Sequence, residues 1–207
     1  MMFLDFIYED DFLLVLNKPQ GVVVMPGVRT GQTLIGILKE YDLCFSQDCL
    51  VHRLDQETHG LMVLAKTVEI KMALQTQFQL RQVKKKYYAM VRGNVRNDEY
   101  VLQQPIGRDF NNPLKKRVRQ DGKDAYTVIQ VLKRYNTQTL LDVEIKTGRT
   151  HQIRVHLFAL GYPVIGDSVY GTGTSSKRLK LQAYFLGFTH PVYDRVMTFE
   201  LPIAILA

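Results

Sequence analysis

The sequence is poor in cysteine and has no long hydrophobic run. Only Cys44 and Cys49 are present, and a single C-x4-C pair excludes the usual four-ligand zinc sites. No segment of ~20 apolar residues could cross a bilayer. The stretch Met1 to Leu16 carries four carboxylates but no basic region or cleavage site, so it does not resemble a signal peptide. We therefore expect a soluble, cytoplasmic protein with reduced thiols.

Signatures of metal and nucleotide sites are also missing. The sequence has no G-x-x-x-x-G-K-[ST] or G-x-G-x-x-G loop, no H-E-x-x-H pair and no G-x-S-x-G elbow. Of the five histidines, His151 and His156 are five positions apart, whereas two metal ligands on one helix face are four apart. We expect neither a metal nor a cofactor.

The composition is that of a folded, basic protein. The 207 residues are 46% hydrophobic and 23% charged, with a net charge of +7 and a sequence pI of about 9.4. This length fits one domain over residues 1–207, and no repeat or linker argues against it. The positive charge favours a polyanionic partner, and nucleic acid is preferred to a membrane because no basic amphipathic anchor is present.

Apolar periodicity and breaker residues predict both strands and helices. Strands are predicted within Phe6–Leu16 (around an acidic turn), Val22–Val24, Leu61–Ala65, Tyr87–Val91, Tyr126–Leu132, Leu140–Ile145, Leu181–Leu186 and Met197–Leu201. Helices are predicted from Leu34 to Tyr41 with Thr33 as N-cap, from Thr67 to Arg81, and from His151 to Leu160 between an N-cap at Thr150 and a stop at Gly161. Residues 105–123 and 173–180 are predicted to be basic loops.

Two charged segments could carry chemistry. Arg53 and Asp55 lie in a polar loop before the apolar run Leu61–Ala65, where scaffolds often place functional residues. On this stretch alone, a solvated turn with an incidental ion pair is the preferred interpretation. Arg154 lies in the first turn of the last predicted helix, which is the unfavourable end for a cation, so it calls for an anionic partner nearby. Its alternative is a solvent-facing side chain.

The joint pattern of these segments is more specific. It comprises His52-Arg53-Leu54-Asp55-x-x-Thr58-x-Gly60-Leu61, Lys85-x-Tyr87-x-Ala89-x-Val91-x-Gly93, Gly148-Arg149-Thr150-His151-Gln152-Ile153-Arg154-Val155-His156 and Gly161-x-Pro163-x-x-Gly166-Asp167-x-x-Tyr170-Gly171. In this order the motifs closely resemble the RluA-type family of RNA pseudouridine synthases. Asn17-Lys18-Pro19-x-Gly21 and His190-Pro191 are similar to that family too. The chain resembles its short branch, which lacks an S4-type RNA-binding domain.

The resemblance implies a fold and an activity. The fold is a single α+β domain around a mixed, largely antiparallel sheet. The activity is the cofactor-independent isomerisation of uridine to pseudouridine in structured ribosomal or transfer RNA, by a monomer that needs no protein partner. Asp55 matches the catalytic carboxylate, as nucleophile or as base. Arg154 matches the guanidinium that keeps this carboxylate anionic, and Tyr87 matches the active-site tyrosine.

The resemblance also implies how RNA would bind. The target uridine must leave its stack to be reached, and Arg53 is expected to enter the vacated space. Other expected RNA contacts come from the motif residues and from basic clusters whose phosphate contacts position RNA without reading its sequence. These residues are His52, Ile153, Lys85, Lys86, Lys115, Lys116 and Arg117, with further cations at Lys84, Arg119, Lys177, Arg178 and Lys180.

Two residues depart from the family pattern, and two rival functions remain open. His59 stands where the family usually has Ser, and Gln182 where it usually has His; we expect both to affect packing or RNA contact. One rival is a non-catalytic RNA-binding or ribosome-assembly factor. The other is a hydrolase such as a phosphoesterase, which would usually require a metal cluster or a second catalytic carboxylate.

Overall fold

The structure, a computed structural model, describes residues 4–24, 33–41, 49–171 and 178–205. The contacts divide the chain into two compact units. The first unit comprises Met1–Lys84 and Ala183–Pro202, and the second comprises Lys85–Gln182 and Ile203–Ala207. The predicted α+β class is confirmed, while one domain over residues 1–207 stays a prediction.

The described residues form the following strands and helices in chain order. They are β1 (Asp5–Glu9), β2 (Leu13–Lys18), α1 (Leu34–Lys39), β3 (His59–Ala65), α2 (Val68–Gln79), β4 (Lys84–Arg92), β5 (Glu99–Leu102), β6 (Ile106–Arg108), β7 (Lys116–Val118), β8 (Thr127–Arg134), β9 (Gln138–Ile145), α3 (Gln152–Ala159), β10 (Leu181–Thr189) and β11 (Val196–Glu200).

The first unit is built on the strand order β1-β2-β3-β10-β11. The pairs β1–β2, β2–β3 and β10–β11 are antiparallel, and the acidic turn between β1 and β2 is closed by the Asp10 carboxylate, which accepts from two backbone N–H groups. Thr33 caps α1 as predicted, and the structure shows that Thr67 caps α2, since each hydroxyl accepts a bond from the backbone three residues on.

Gly60 allows β3 to pass close to β10. Its φ is +123°, and a Cβ at this position would lie 2.2 Å from the carbonyl oxygen of Ala183. Only glycine fits such a backbone approach. The constraint falls immediately after the loop that carries Asp55, so it fixes where that loop joins the sheet.

The second unit has the strand order β4-β9-β8-β5 and a separate antiparallel pair, β6–β7. The ladders β4–β9, β8–β9 and β5–β8 are antiparallel. The alternation predicted for β4 is confirmed, because Tyr87, Ala89 and Val91 are all buried on one face. The helix α3 ends before Gly161, whose φ is +91°, as the sequence predicted.

Three local predictions are wrong, each for a physical reason. Val22–Val24 is not a strand: Val23 forms only an isolated bridge, and the Val22 carbonyl accepts from the Lys18 ammonium. Residues 105–123 contain the β6–β7 hairpin, because Ile106 packs in an apolar cluster with Val118. The N-cap of α3 is His151 with φ +59°, without a side-chain cap, and not Thr150.

A membrane-spanning helix and a metal site are two features that the sequence analysis considered. Among the helices of the described ranges, none is long and apolar enough to cross a membrane. Within the same ranges, no group of three or more His, Cys, Asp or Glu side chains could hold a metal ion. Cys49 is buried, and Cys44 lies outside the described residues.

Candidate active site

The loop that carries Asp55 belongs to the first unit and is tied to the segment after β2. Gly21 and Gln56 exchange two bonds, from Gly21 N to the Gln56 carbonyl at 2.9 Å and from Gln56 Nε2 to the Gly21 carbonyl at 3.0 Å. Gln20 Nε2 donates to the Glu57 carbonyl at 2.7 Å. Within the loop, Thr58 N donates to the Asp55 carbonyl. The half-buried Asp55 side chain therefore stands on a backbone held from both sides.

Lys18 is the centre of this attachment, and sequence reasoning missed it. Its side chain is fully buried, and its ammonium donates to the carbonyls of Pro19 at 2.9 Å, Val22 at 3.0 Å and Gln56 at 3.2 Å. Burial lowers the pKa of Lys18 to about 8, although the nearby carboxylates of Glu57 and Asp55 oppose this shift. An ammonium has three donors, and here all three are used on backbone oxygens.

Replacing Lys18 by Met should change how stability depends on pH. The pKa of Lys18 is about 8 in the folded protein, whereas an unperturbed lysine has a pKa of 10.5, so between these values the unfolded chain binds more protons and stability rises with pH. Below pH 8 the folded state carries the whole cost of the buried charge. From pH 8 to 10 the free energy of unfolding of the wild type should therefore rise by about 1.4 kcal/mol per pH unit more than that of Lys18→Met. Urea denaturation measures this difference; parallel pH profiles of the two proteins would contradict it.

The two basic residues before Asp55 differ in their surroundings. His52 Nε2 accepts a bond from Val63 N at 3.1 Å, and its ring stacks on Phe78 with centroids 4.8 Å apart. These contacts attach the loop to β3 and α2. Arg53 is exposed to solvent, as a side chain must be if it is to enter RNA. RNA contact by His52 and Arg53 stays a prediction.

The segment before α3 is held in the second unit by Gln152. Its Oε1 accepts from the Thr147 hydroxyl at 2.7 Å and from Arg149 N at 3.0 Å. Its Nε2 donates to the Tyr126 carbonyl and to Thr127 Oγ1, both at 3.0 Å. The buried Gln152 amide thus uses donors and acceptors alike to fix the start of α3 against β8. The neighbouring Ile153 is buried as well.

Arg154 has the anionic partner that its helix position calls for. Its Nε and Nη2 donate to the two carboxylate oxygens of Asp167, each at 2.7 Å, and both side chains are almost fully buried. Asp167 Oδ1 also accepts from Val169 N and Tyr170 N. Burial alone would raise the pKa of Asp167, but the Arg154 pair and the backbone donors hold it below its usual value. The solvent-facing alternative for Arg154 is therefore wrong.

Tyr87 and its neighbouring lysines lie on β4 in the second unit. Tyr87 is 8% exposed. Lys84–Lys86 was predicted as a solvated junction, which is wrong for Lys85: it shares the buried face of β4, and burial lowers its pKa to about 8, with Arg149 and Lys146 adding to the shift. Lys86 is instead paired with Asp142 at 3.0 Å. Catalytic or RNA-binding roles for these residues stay predictions.

The β6–β7 hairpin carries most of the remaining predicted RNA contacts. Lys115 and Lys116 are partly exposed and Arg117 is exposed. Phe110, beyond the end of β6, is 80% exposed, and the Arg119 guanidinium lies over its ring at 4.2 Å. An exposed aromatic ring beside several cations is the combination that binds unpaired bases and phosphates. Of the second basic cluster, Arg178 is exposed and Lys180 partly exposed, while Lys177 lies outside the described residues.

The two departures from the family pattern have different outcomes. Gln182 is buried, and its Oε1 accepts a bond from Ala204 N at 2.9 Å, so it fixes the C-terminal segment within the second unit. This contact favours the packing alternative, and an effect of Gln182 on RNA contact stays a prediction. His59 begins β3 and is partly buried, and its effect on RNA contact stays a prediction.

Comparison with known proteins gives consistent results. A family described as RNA pseudouridylate synthase matches residues 12–159. Ribosomal large subunit pseudouridine synthase D from Neisseria meningitidis is 43% identical over 220 residues, covering 98% of this chain and 59% of that protein. The dual-specificity RNA pseudouridine synthase RluA from Vibrio parahaemolyticus is 40% identical over 196 residues, covering 90% of this chain and 78% of that protein. The chain thus spans about three fifths of the length of the Neisseria relative.

A solved structure gives the same result for the fold. Human RNA pseudouridylate synthase domain containing 1 matches this structure with a TM-score of 0.83 at 27% identity, over 96% of this chain and 83% of that chain. The pseudouridine synthase fold expected from the sequence motifs is confirmed.

Proposed function

Because the chain belongs to the RNA pseudouridylate synthase family, we propose that it is an RNA isomerase that converts uridine to pseudouridine without a cofactor. The observation that carries this proposal is the match over residues 12–159, which includes Asp55, Tyr87 and Arg154. In the reaction the bond from C1′ of the ribose to N1 of uracil breaks and a bond from C1′ to C5 forms. The C5 proton is lost and N1 gains one, so the product has the composition of the substrate.

The proposed substrate is structured ribosomal RNA, transfer RNA or both. The Neisseria relative is named for the large ribosomal subunit, and the Vibrio relative is named for dual specificity. The net charge of +7 and the exposed cations of the β6–β7 hairpin support a polyanionic substrate. Phosphate contacts of this kind would position the RNA, and unpaired bases would provide specificity. We propose that the enzyme acts as a monomer.

Asp55 is the proposed catalytic carboxylate. Its loop is anchored through the carbonyls of Gln56 and Glu57. Such anchoring orients a reactive group in advance, which lowers the entropy cost of reaching the transition state. The mechanism requires the carboxylate to be ionised, whether it attacks the sugar, attacks the base or removes a proton.

Tyr87 and Arg154 are the other two proposed catalytic groups. The Tyr87 ring offers a stacking face for uracil, and its hydroxyl offers a site for proton transfer. Arg154 cannot lose its proton in a protein, and Asp167 holds its Nε and Nη2 in a fixed plane. A guanidinium held in this way supplies a directed positive charge that keeps a catalytic carboxylate anionic.

The proposal includes base flipping. A uridine within a stacked helix is unreachable until it is extruded, which costs a few kcal/mol of stacking. The exposed Arg53 guanidinium is planar and would replace the extruded base in the stack.

The test of the proposal is a direct assay of the purified chain. Ribosomal and transfer RNA that are transcribed in vitro with UTP tritiated at C5 of uracil contain no pseudouridine at the start. The chain should release tritium from at least one of them, without added metal or cofactor, and mapping of the product should find discrete positions. Tight RNA binding without tritium release from either RNA would instead identify a non-catalytic RNA-binding factor.

A further inference from the structure

Tyr170 lies where the β6–β7 hairpin meets the start of α3 in the second unit. Its hydroxyl oxygen accepts a bond from Lys116 N of β7 at 2.8 Å. The same oxygen lies 3.0 Å from His151 Nδ1. When His151 is neutral with its proton on Nε2, its Nδ1 accepts a hydrogen bond from the Tyr170 hydroxyl. One buried phenol oxygen therefore joins the hairpin backbone to the residue that precedes α3.

Tyr170 also contacts the Arg154 side chain and its partner. The Tyr170 N–H donates to Asp167 Oδ1 at 3.0 Å, and the Arg154 guanidinium lies 5.4 Å from the centroid of the Tyr170 ring. The ring packs with Ile106 of β6 and Val155 of α3 in one apolar cluster. Tyr170 thus contacts the hairpin, the helix and the Arg154–Asp167 pair at once.

The backbone conformation of His151 makes its contact with Tyr170 important for α3. His151 has φ +59°, a left-handed conformation that is unfavourable for a residue other than glycine, and surrounding contacts must stabilise it. The Tyr170 hydroxyl supplies one such contact to the His151 ring. Because the His151 carbonyl accepts the bond from Val155 N that opens α3, the conformation of His151 sets the orientation of the helix that carries Arg154.

We propose that Tyr170 is a positioning residue that couples RNA held on the β6–β7 hairpin to the orientation of Arg154 on α3. This inference rests on the proposed function. RNA phosphates would bind Lys115 and Arg117, which flank Lys116. Binding would fix the hairpin backbone, and the bond from Lys116 N would fix the Tyr170 oxygen and with it His151. The coupling acts on the rate after RNA has bound, not on RNA affinity.

Tyr170→Phe removes the hydroxyl and keeps the ring. Single-turnover pseudouridine formation at saturating enzyme should slow about tenfold, as expected from the loss of hydrogen bonds of ordinary net strength. The Kd for RNA should stay within about twofold, because no hairpin cation is removed. Tyr162→Phe is the matched control: Tyr162 follows α3, and no hydrogen bond of its hydroxyl occurs among the described residues. It should leave both rate and Kd unchanged.

A second substitution separates coupling from a merely structural role. Arg117→Ala removes an exposed hairpin cation and should slow the saturated wild-type reaction at least about twofold, but should not slow Tyr170→Phe further, because the link is already cut. His151→Asn cuts the same link from the other side, tolerates positive φ and should behave like Tyr170→Phe. Additive effects of Arg117→Ala and Tyr170→Phe, or a wild-type rate in Tyr170→Phe, would overturn the inference.

The outcomes also distinguish this inference from the proposed function. A wild-type chain that forms no pseudouridine ends the proposed function, and the coupling falls with it. An active wild type whose rate is unaffected by Tyr170→Phe refutes only the coupling. If Tyr170→Phe lowers the thermal midpoint while its folded fraction reacts at the wild-type rate, Tyr170 serves stability alone and the inference is refuted.

Discussion

Asp55→Asn is expected to abolish pseudouridine formation, with a rate loss of at least about 10³-fold. An amide is close in size and shape to a carboxylate, but it cannot act as a nucleophile or as a base. The loss is therefore expected whichever of these roles Asp55 performs. The loop should keep its shape, because its bonds to Gly21, Gln20 and Lys18 run through residues 56 and 57. Single-turnover tritium release measures the rate.

Two controls make the Asp55 result specific. RNA affinity and the thermal midpoint of Asp55→Asn should match those of the wild type. Asp11→Asn makes the same chemical change at an exposed position of the first unit and should retain full activity. Turnover by Asp55→Asn within tenfold of the wild type would remove Asp55 from the mechanism.

Asp167→Ala is expected to cause the largest loss of stability, about 3–5 kcal/mol in the free energy of unfolding. The substitution leaves the buried Arg154 guanidinium without the carboxylate that binds its Nε and Nη2. It also removes the acceptor of Val169 N and Tyr170 N. Because the pKa of Asp167 is lowered in the folded protein, its contribution is present above the unfolded pKa of ~3.9 and is lost as the pH falls through the folded value. Urea denaturation at neutral pH measures the loss.

Asp98→Ala provides the matched comparison in the same unit. Asp98 also pairs with an arginine, Arg134, at 2.6 Å, but its side chain is 81% exposed. Exposed pairs contribute little, so this substitution should cost less than about 1 kcal/mol. Similar losses for Asp167→Ala and Asp98→Ala would show that burial does not set the strength of the Arg154 pair.

Local signals in the sequence predicted the elements that local physics controls. Thr33 caps α1 as predicted, because a hydroxyl at the N-cap satisfies a backbone N–H regardless of tertiary structure. The alternation at Tyr87, Ala89 and Val91 predicted the buried face of β4, because successive side chains of a strand point to opposite faces. His151 shows the limit of this approach. The sequence favours Thr150 as the N-cap of α3, and the left-handed His151 that replaces it contacts Tyr170, 19 residues away.

The contacts that the sequence could not predict join distant residues. Lys18 looks like an ordinary lysine at the end of a strand, and its burial follows from acceptors as far away as Gln56. Asp167 was visible only as a motif position, 13 residues from Arg154. The sequence did contain a signal for these contacts, because Lys18 and Asp167 each lie beside a turn residue. Turns at Pro19 and Gly166 can bring backbone polar groups toward one side chain.

The first unit is discontinuous, since Ala183–Pro202 completes a body begun by residues 1–84. On a translating ribosome, β3 emerges long before β10, its sheet neighbour. Residues 66–180, about 115 in number, must be synthesised in between, which at 5–20 residues per second takes roughly 6–23 s. Throughout that interval the nascent chain exposes an apolar strand edge beside Gly60. A chaperone that binds nascent chains would therefore be expected to hold this edge, and the Asp55 loop would reach its final setting only after β10 has been made.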